Sequence, residues 1–87
     1  MIIVKIGADW CGPCKMSDIY LKPQIEKAGI EYVSEDIGPN FIYQEKIEEK
    51  YNFKMSRKAI PTYLVIEDGK IKDIIVGYKP NLVQDLL

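Results

Sequence analysis

The chain has no histidine, only two cysteines, one tryptophan and two phenylalanines among its 87 residues. It also has no long hydrophobic run. The opening apolar stretch, Ile2-Ile3-Val4-Lys5-Ile6, is far too short to span a membrane or form a signal-peptide core, and no basic segment precedes it. A formal net charge of −1 gives no electrostatic reason to expect nucleic acid or an anionic membrane as a partner. Two thiols without an imidazole cannot complete a four-ligand zinc site, so a metal would require a second subunit. Nor are two cysteines separated by two residues a disulfide framework for a secreted domain. Such a pair in a reducing compartment points to catalysis or metal binding, and a cytoplasmic setting is expected.

What is present suffices for one folded domain over residues 1–87. Hydrophobic residues make up 47% of the chain, and its Leu, Ile and Val content argues against disorder. Residues 1–6 read as a buried strand, β1. A helix is expected from near Gly12 toward Ala28, with Met16, Ile19, Tyr20, Ile25 and Ala28 among its apolar positions; Pro23 should kink or divide it, and Gly29 suits its end. A second strand, β2, falls within 30–37, parallel to the first because a helix joins them. Gly38-Pro39-Asn40 is turn chemistry, with Asn40 a candidate cap for a helix over 41–51 whose face is Tyr43, Ile47 and Tyr51. Asn52 suits a left-handed end. A third strand, β3, covers 62–66; Asp68-Gly69 signals a hairpin into β4 at 71–76. Pro80 suits the first turn of a last helix that buries Leu82, Val83, Leu86 and Leu87.

Both cysteines lie in Trp10-Cys11-Gly12-Pro13-Cys14, between the first strand and the first helix. Thiols at this spacing can cycle between dithiol and disulfide. With Pro13 in the first helical turn, where its missing N–H is harmless, Cys11 falls at the helix N-terminus, which favours the attacking thiolate.

This segment, with Lys15 and Met16 after it, resembles the active site of thioredoxins, and the resemblance continues at Ala59-Ile60-Pro61-Thr62 and Val76-Gly77. It implies an α/β minimal thioredoxin fold, βαβαββα, with a mixed sheet of order β2-β1-β3-β4, three flanking helices, and the first and last helices on one face. In length and layout the chain is also similar to glutaredoxins. The resemblance further implies a thiol-disulfide oxidoreductase. Cys11 attacks a client disulfide and Cys14 resolves the mixed disulfide. Trp10, Gly12 and Pro13 border the client groove, and a cis Pro61 faces the thiols. Ile60 pairs its backbone with the client, while Gly77 lets the chain pass close and Tyr78 lines the groove or covers core. Thioredoxin reductase is the implied electron donor, with no bound cofactor and no metal. Disulfide-bearing proteins are the implied clients, ribonucleotide reductase among them, and a monomer is expected.

Three departures stand out. Where thioredoxins carry a buried acid, six residues before the first cysteine, this chain has Lys5. Its ammonium either favours the Cys11 thiolate or snorkels to solvent, and snorkelling is the simpler expectation. Asp9 and Lys15 flank the motif with opposite signs and read as solvated. Pro23 stands later in its helix than the usual thioredoxin proline. The connection from Tyr51 to Pro61 is longer than in thioredoxins and carries Lys54, Arg57, Lys58 and an exposed Met55. Either it selects acidic partners or a glutathione carboxylate, or it is a solvated basic loop.

Three other functions remain open on sequence. A glutathione-dependent, glutaredoxin-like enzyme fits the layout, but Gly12-Pro13 differs from the Pro-Tyr of glutaredoxins, and 72–79 lacks their Gly-Gly and acid. A binding module with incidental thiols is a second, since a fold does not fix a function. A metal-bridged dimer through two thiol pairs is a third.

Overall fold

In the computed structural model, which describes residues 1–56 and 58–87, the apolar run after Met1 forms β1 (Ile2–Gly7) inside a four-stranded sheet. Consecutive buried residues, Ile3 and Val4 then Ile6, demand cover on both faces, which only a central strand receives. β2 (Glu31–Asp36) pairs parallel to it, Ile2 opposite Glu31 and Gly7 opposite Asp36. β3 (Thr62–Glu67) pairs antiparallel on its other side and β4 (Lys70–Val76) forms the edge, giving the order β2-β1-β3-β4. The β3–β4 turn holds Asp68 and Gly69 at φ of 54° and 75°, the left-handed pair that a two-residue hairpin needs.

A helical rod leads from β1 to β2. It starts as α1 (Gly12–Met16), widens into a π turn at Ser17–Leu21 and resumes as α2 (Lys22–Lys27). The division expected at Pro23 is thus a change of helical register. The Lys22 N–H reaches back to Ser17 O, and Pro23, next in line, has no N–H to place. The rod ends as Gly29, at φ 78°, donates to Glu26 O (3.0 Å) and Ile30 donates to Ile25 O (3.1 Å), a Schellman arrangement.

The buried stripe of the rod is Cys14, Ser17, Leu21 and Ile25; of the positions expected to be inward, Met16, Ile19, Tyr20 and Ala28 are exposed. Residue type misleads here because helix phase is set by Cys14, Leu21 and Ile25, and Ser17 is buried by virtue of its hydrogen bonds to tyrosine hydroxyls.

Asn40 does not cap a helix. Asn40 and Phe41 both take left-handed backbone, φ 52° and 60°, in a short turn at Pro39–Phe41, so α3 (Gln44–Tyr51) begins later than expected. It buries Ile47, half-buries Tyr51 and leaves Tyr43 exposed, and ends at Asn52, φ 55°. Pro80 lies in the turn before α4 (Leu82–Leu86) rather than in its first turn. Leu82 and Val83 are buried, whereas Leu87 is exposed because the helix ends before it.

The sheet separates two cores. On one face Leu21, Ile25, Leu82 and Val83 pack with Ile3 and Tyr63, which places α2 and α4 together. On the other, Ile47 of α3 packs with Val4, Ile6 and Leu64, and this core runs to the two cysteines at the C-terminal end of β1.

Candidate active site at the Cys11–Cys14 pair

Cys11 is the residue that starts α1, and it is joined to Cys14 by a disulfide with Cα atoms 5.2 Å apart. Its extended backbone (φ −100°, ψ 113°) turns the chain into the helix, and its Sγ accepts the Cys14 N–H at 3.2 Å. That bond satisfies one of the donors a helix start leaves unpaired, and it favours negative charge on the sulfur when the disulfide opens. Gly12 and Pro13 form the exposed first turn. Cys11 is 6% exposed and Cys14 1% exposed, so of the two sulfur-bearing residues Cys11 is nearer the surface.

Gly7 explains how Cys14 fits. A Cβ on Gly7 would lie 2.9 Å from Cys14 Sγ and 3.0 Å from its Cβ, so only glycine lets β1 run beneath the pair. From the opposite side the Ile60–Pro61 peptide bond is cis, and Ile60 O lies 4.0 Å from Cys11 Sγ. The segment is held by two hydrogen bonds: Thr62 Oγ1 donates to Ala59 O at 2.8 Å and Gly77 N–H donates to Pro61 O at 2.8 Å. Trp10, 56% exposed, leans on Phe41 with ring centroids 6.1 Å apart, and Lys58 Nζ sits 5.9 Å from the Phe41 ring centroid. Phe41 escaped sequence reading; two left-handed residues in a row carry it to Trp10, and only the preceding Gly-Pro hinted at an unusual turn.

Other expected residues fall differently. Gly77 faces open space, with no atom within 4 Å of a built Cβ; its φ of 95°, rather than close approach, is what calls for glycine. Tyr78 packs against the α2–α4 core. Met55 is not exposed but half-buried against the α3 core, and its N–H donates to Glu48 Oε2 at 2.7 Å. That N–H above all, then the Gln44 amide and the Lys54 charge, hold the Glu48 carboxyl below the usual carboxylate range despite burial. Lys54 and Lys58 are exposed; Arg57, named with them, lies outside the described residues.

Lys5 does not snorkel. It is 4% exposed, and its ammonium donates to both carboxylate oxygens of Asp18, at 2.9 and 3.0 Å. Asp18 also accepts from Tyr32 Oη at 2.8 Å. Ser17 Oγ, 3.0 Å from Tyr32 Oη, accepts from Tyr63 Oη at 2.8 Å. Burial, chiefly, pushes the Tyr63 hydroxyl up to about 12 and raises Tyr32 further, so both remain donors at neutral pH. Asp9 and Lys15 are exposed, as residues flanking the motif were expected to be. Among the described residues no three acidic or cysteine side chains gather as metal ligands, and no helix is long and apolar enough to cross a membrane.

A two-cysteine helix start under a proline loop, on a sheet of this order, defines a thiol-disulfide oxidoreductase. The Thioredoxin family model matches residues 1–87. A thioredoxin of Chlorobaculum thiosulfatiphilum is 35% identical over 82 residues, covering 92% of this chain and 68% of that protein. One of Bacillus subtilis is 32% identical over 83 residues, covering 93% and 72%. The solved structure of Fasciola hepatica thioredoxin superposes with a TM-score of 0.74 at 27% identity, over 98% of this chain and 75% of that one. The chain belongs to the thioredoxin family. Its members act on disulfide substrates through a redox-active disulfide, and the glutaredoxin alternative is not favoured.

Proposed function

We propose that this protein is a cytoplasmic, monomeric reductant of protein disulfides in which the two cysteines have distinct roles. The Cys11 thiolate attacks one sulfur of a client disulfide, forming a mixed disulfide and releasing the other client sulfur as a thiolate that takes up a proton. Cys14 then loses its proton and attacks Cys11 Sγ; the bond from Cys11 to the client breaks and the second client thiol leaves. The client gains two electrons and the Cys11–Cys14 disulfide is the oxidised product. The observation that carries this reading is the placement of Cys11 Sγ, capped by the Cys14 N–H at 3.2 Å and 4.0 Å from the Ile60 carbonyl, while Cys14 lies deeper. Ile60 offers the client its backbone, and Trp10 with Phe41 offers an apolar ledge beside Gly12 and Pro13.

The redox couple is internal to the chain, so a reductase rather than a bound cofactor supplies electrons, and a thioredoxin reductase is the donor that fits the family. Ribonucleotide reductase is one client of the right chemistry. Lys54, Arg57 and Lys58 give the long connection three cations, which favours clients with acidic surfaces. The test is insulin reduction followed by NADPH consumption, with thioredoxin reductase in one assay and glutathione plus glutathione reductase in the other. Turnover is expected with thioredoxin reductase alone; turnover with glutathione alone would overturn the electron source, and silence in both would overturn the reading. Neutralising Lys54, Arg57 and Lys58 together should raise the client KM severalfold at low salt, about tenfold at most. Unchanged kinetics would remove the loop from client choice.

A further inference from the structure

Cys14 must lose a proton in a nearly closed site before it can resolve the mixed disulfide, and burial alone opposes that ionisation. The cavity that reaches it is lined by Lys5, Asp9, Lys15, Asp18, Glu35 and Asp36, among others. Four of those side chains are acids, and acids nearby disfavour a thiolate. Glu35 is bound to Lys50 and Tyr51, Asp36 accepts the Gly38 N–H at 2.7 Å, and Asp9 and Lys15 are exposed to solvent. Lys5 differs from all of these in lying 4% exposed and reaching the sulfur's immediate surroundings. The position a Gly7 Cβ would take is 3.3 Å from Lys5 Cε and 2.9 Å from Cys14 Sγ, so the lysine stem and the sulfur border the same space beside the bare Cα of Gly7.

The geometry points to Lys5 as the group that stabilises the Cys14 thiolate during resolution, with Asp18 as the counter-ion that moderates its charge. The inference rests on the order of attack given above. The proton lost by Cys14 leaves through the cavity to water, and the Lys5 charge compensates the thiolate left behind. Asp18 is the counter-ion of that ammonium. It is itself fixed by Tyr32, and Tyr32 lies within hydrogen-bond distance of the buried Ser17–Tyr63 pair. A carboxylate counter-ion weakens the field of Lys5 at the sulfur, so the pair tunes the thiolate rather than maximising it.

The test is titration of Cys14 by ultraviolet thiolate absorbance in Cys11→Ser protein, where it is the sole thiol. Adding Lys5→Met should raise the midpoint by about 1–2 pH units, and Lys5→Arg should hold it within about half a unit. Asp18→Asn, which removes a carboxylate and leaves the lysine, should lower it. An unmoved or lowered midpoint in folded Lys5→Met protein, checked by circular dichroism, overturns the inference. Should that variant not fold, Lys5→Gln takes its place, and an unmoved or lowered midpoint there overturns the inference. No client is needed for the titration, so a lack of insulin turnover in the native protein would count against the proposed function and not against Lys5.

Discussion

At the scale of single residues, the site depends on one side chain that is missing. Gly7→Ala would put a methyl 2.9 Å from Cys14 Sγ and 3.0 Å from its Cβ, closer than the buried Cys14 tolerates without shifting. We expect a loss of about 1–3 kcal/mol in urea unfolding and slower reduction of insulin; a native Tm would show that the helix start can shift. The thiol pair was legible in the sequence because its spacing lies within five neighbouring residues, whereas the cis bond before Pro61 was accessible only through the family resemblance. Lys5 was not legible. Whether it meets solvent or a partner depends on Asp18, 13 residues away, and Asp18 faces it only in the helical phase that the rod adopts. Phe41 was hidden for a similar reason, since positive φ at two non-glycine residues leaves no compositional trace.

At the scale of elements, a carboxylate tethers the long connection after α3. Glu48 accepts the Met55 N–H at 2.7 Å and the Gln44 amide at 3.3 Å. Its pKa is depressed in the folded state, so its contribution is fully present above the ordinary carboxylate pKa and is lost as pH falls through the lowered folded value. Glu35 behaves alike: burial raises it, but Lys50 and Tyr51 together outweigh that and lower it. Stability should therefore fall on acidification below about pH 4. Glu48→Ala should cost about 1–3 kcal/mol at neutral pH by orphaning the Met55 N–H, and should flatten part of the acid slope. A variant with the native slope would remove Glu48 from the account. Strands and the hairpin were readable from apolar runs and from Asp68-Gly69. Helix starts were less so, because neither α3 nor α4 opens on a side-chain cap and both follow a proline turn that could equally have been their first turn.

At the scale of the whole molecule, two cores share one sheet, and the redox pair closes the end of the α3-side core. Ile3 and Val4 point into opposite cores from adjacent positions of β1, so neither core can melt without disturbing the other. Trp10 fluorescence, reporting the site, and far-ultraviolet circular dichroism, reporting the rod and sheet, should give coincident urea transitions. Leu64→Ala and Ile3→Ala, one in each core, should each cost about 2–5 kcal/mol while keeping the two probes together; separated transitions would mean independent cores. The sheet order itself was accessible only through the family resemblance. The central claim is the division of labour between the two cysteines, and the most direct measurement is trapping on insulin followed by mass spectrometry without reductant. Cys14→Ser protein should accumulate a mixed disulfide with an insulin chain at Cys11, and Cys11→Ser protein should accumulate none. An adduct at Cys14 in the Cys11→Ser protein, or turnover surviving in either variant, would contradict it.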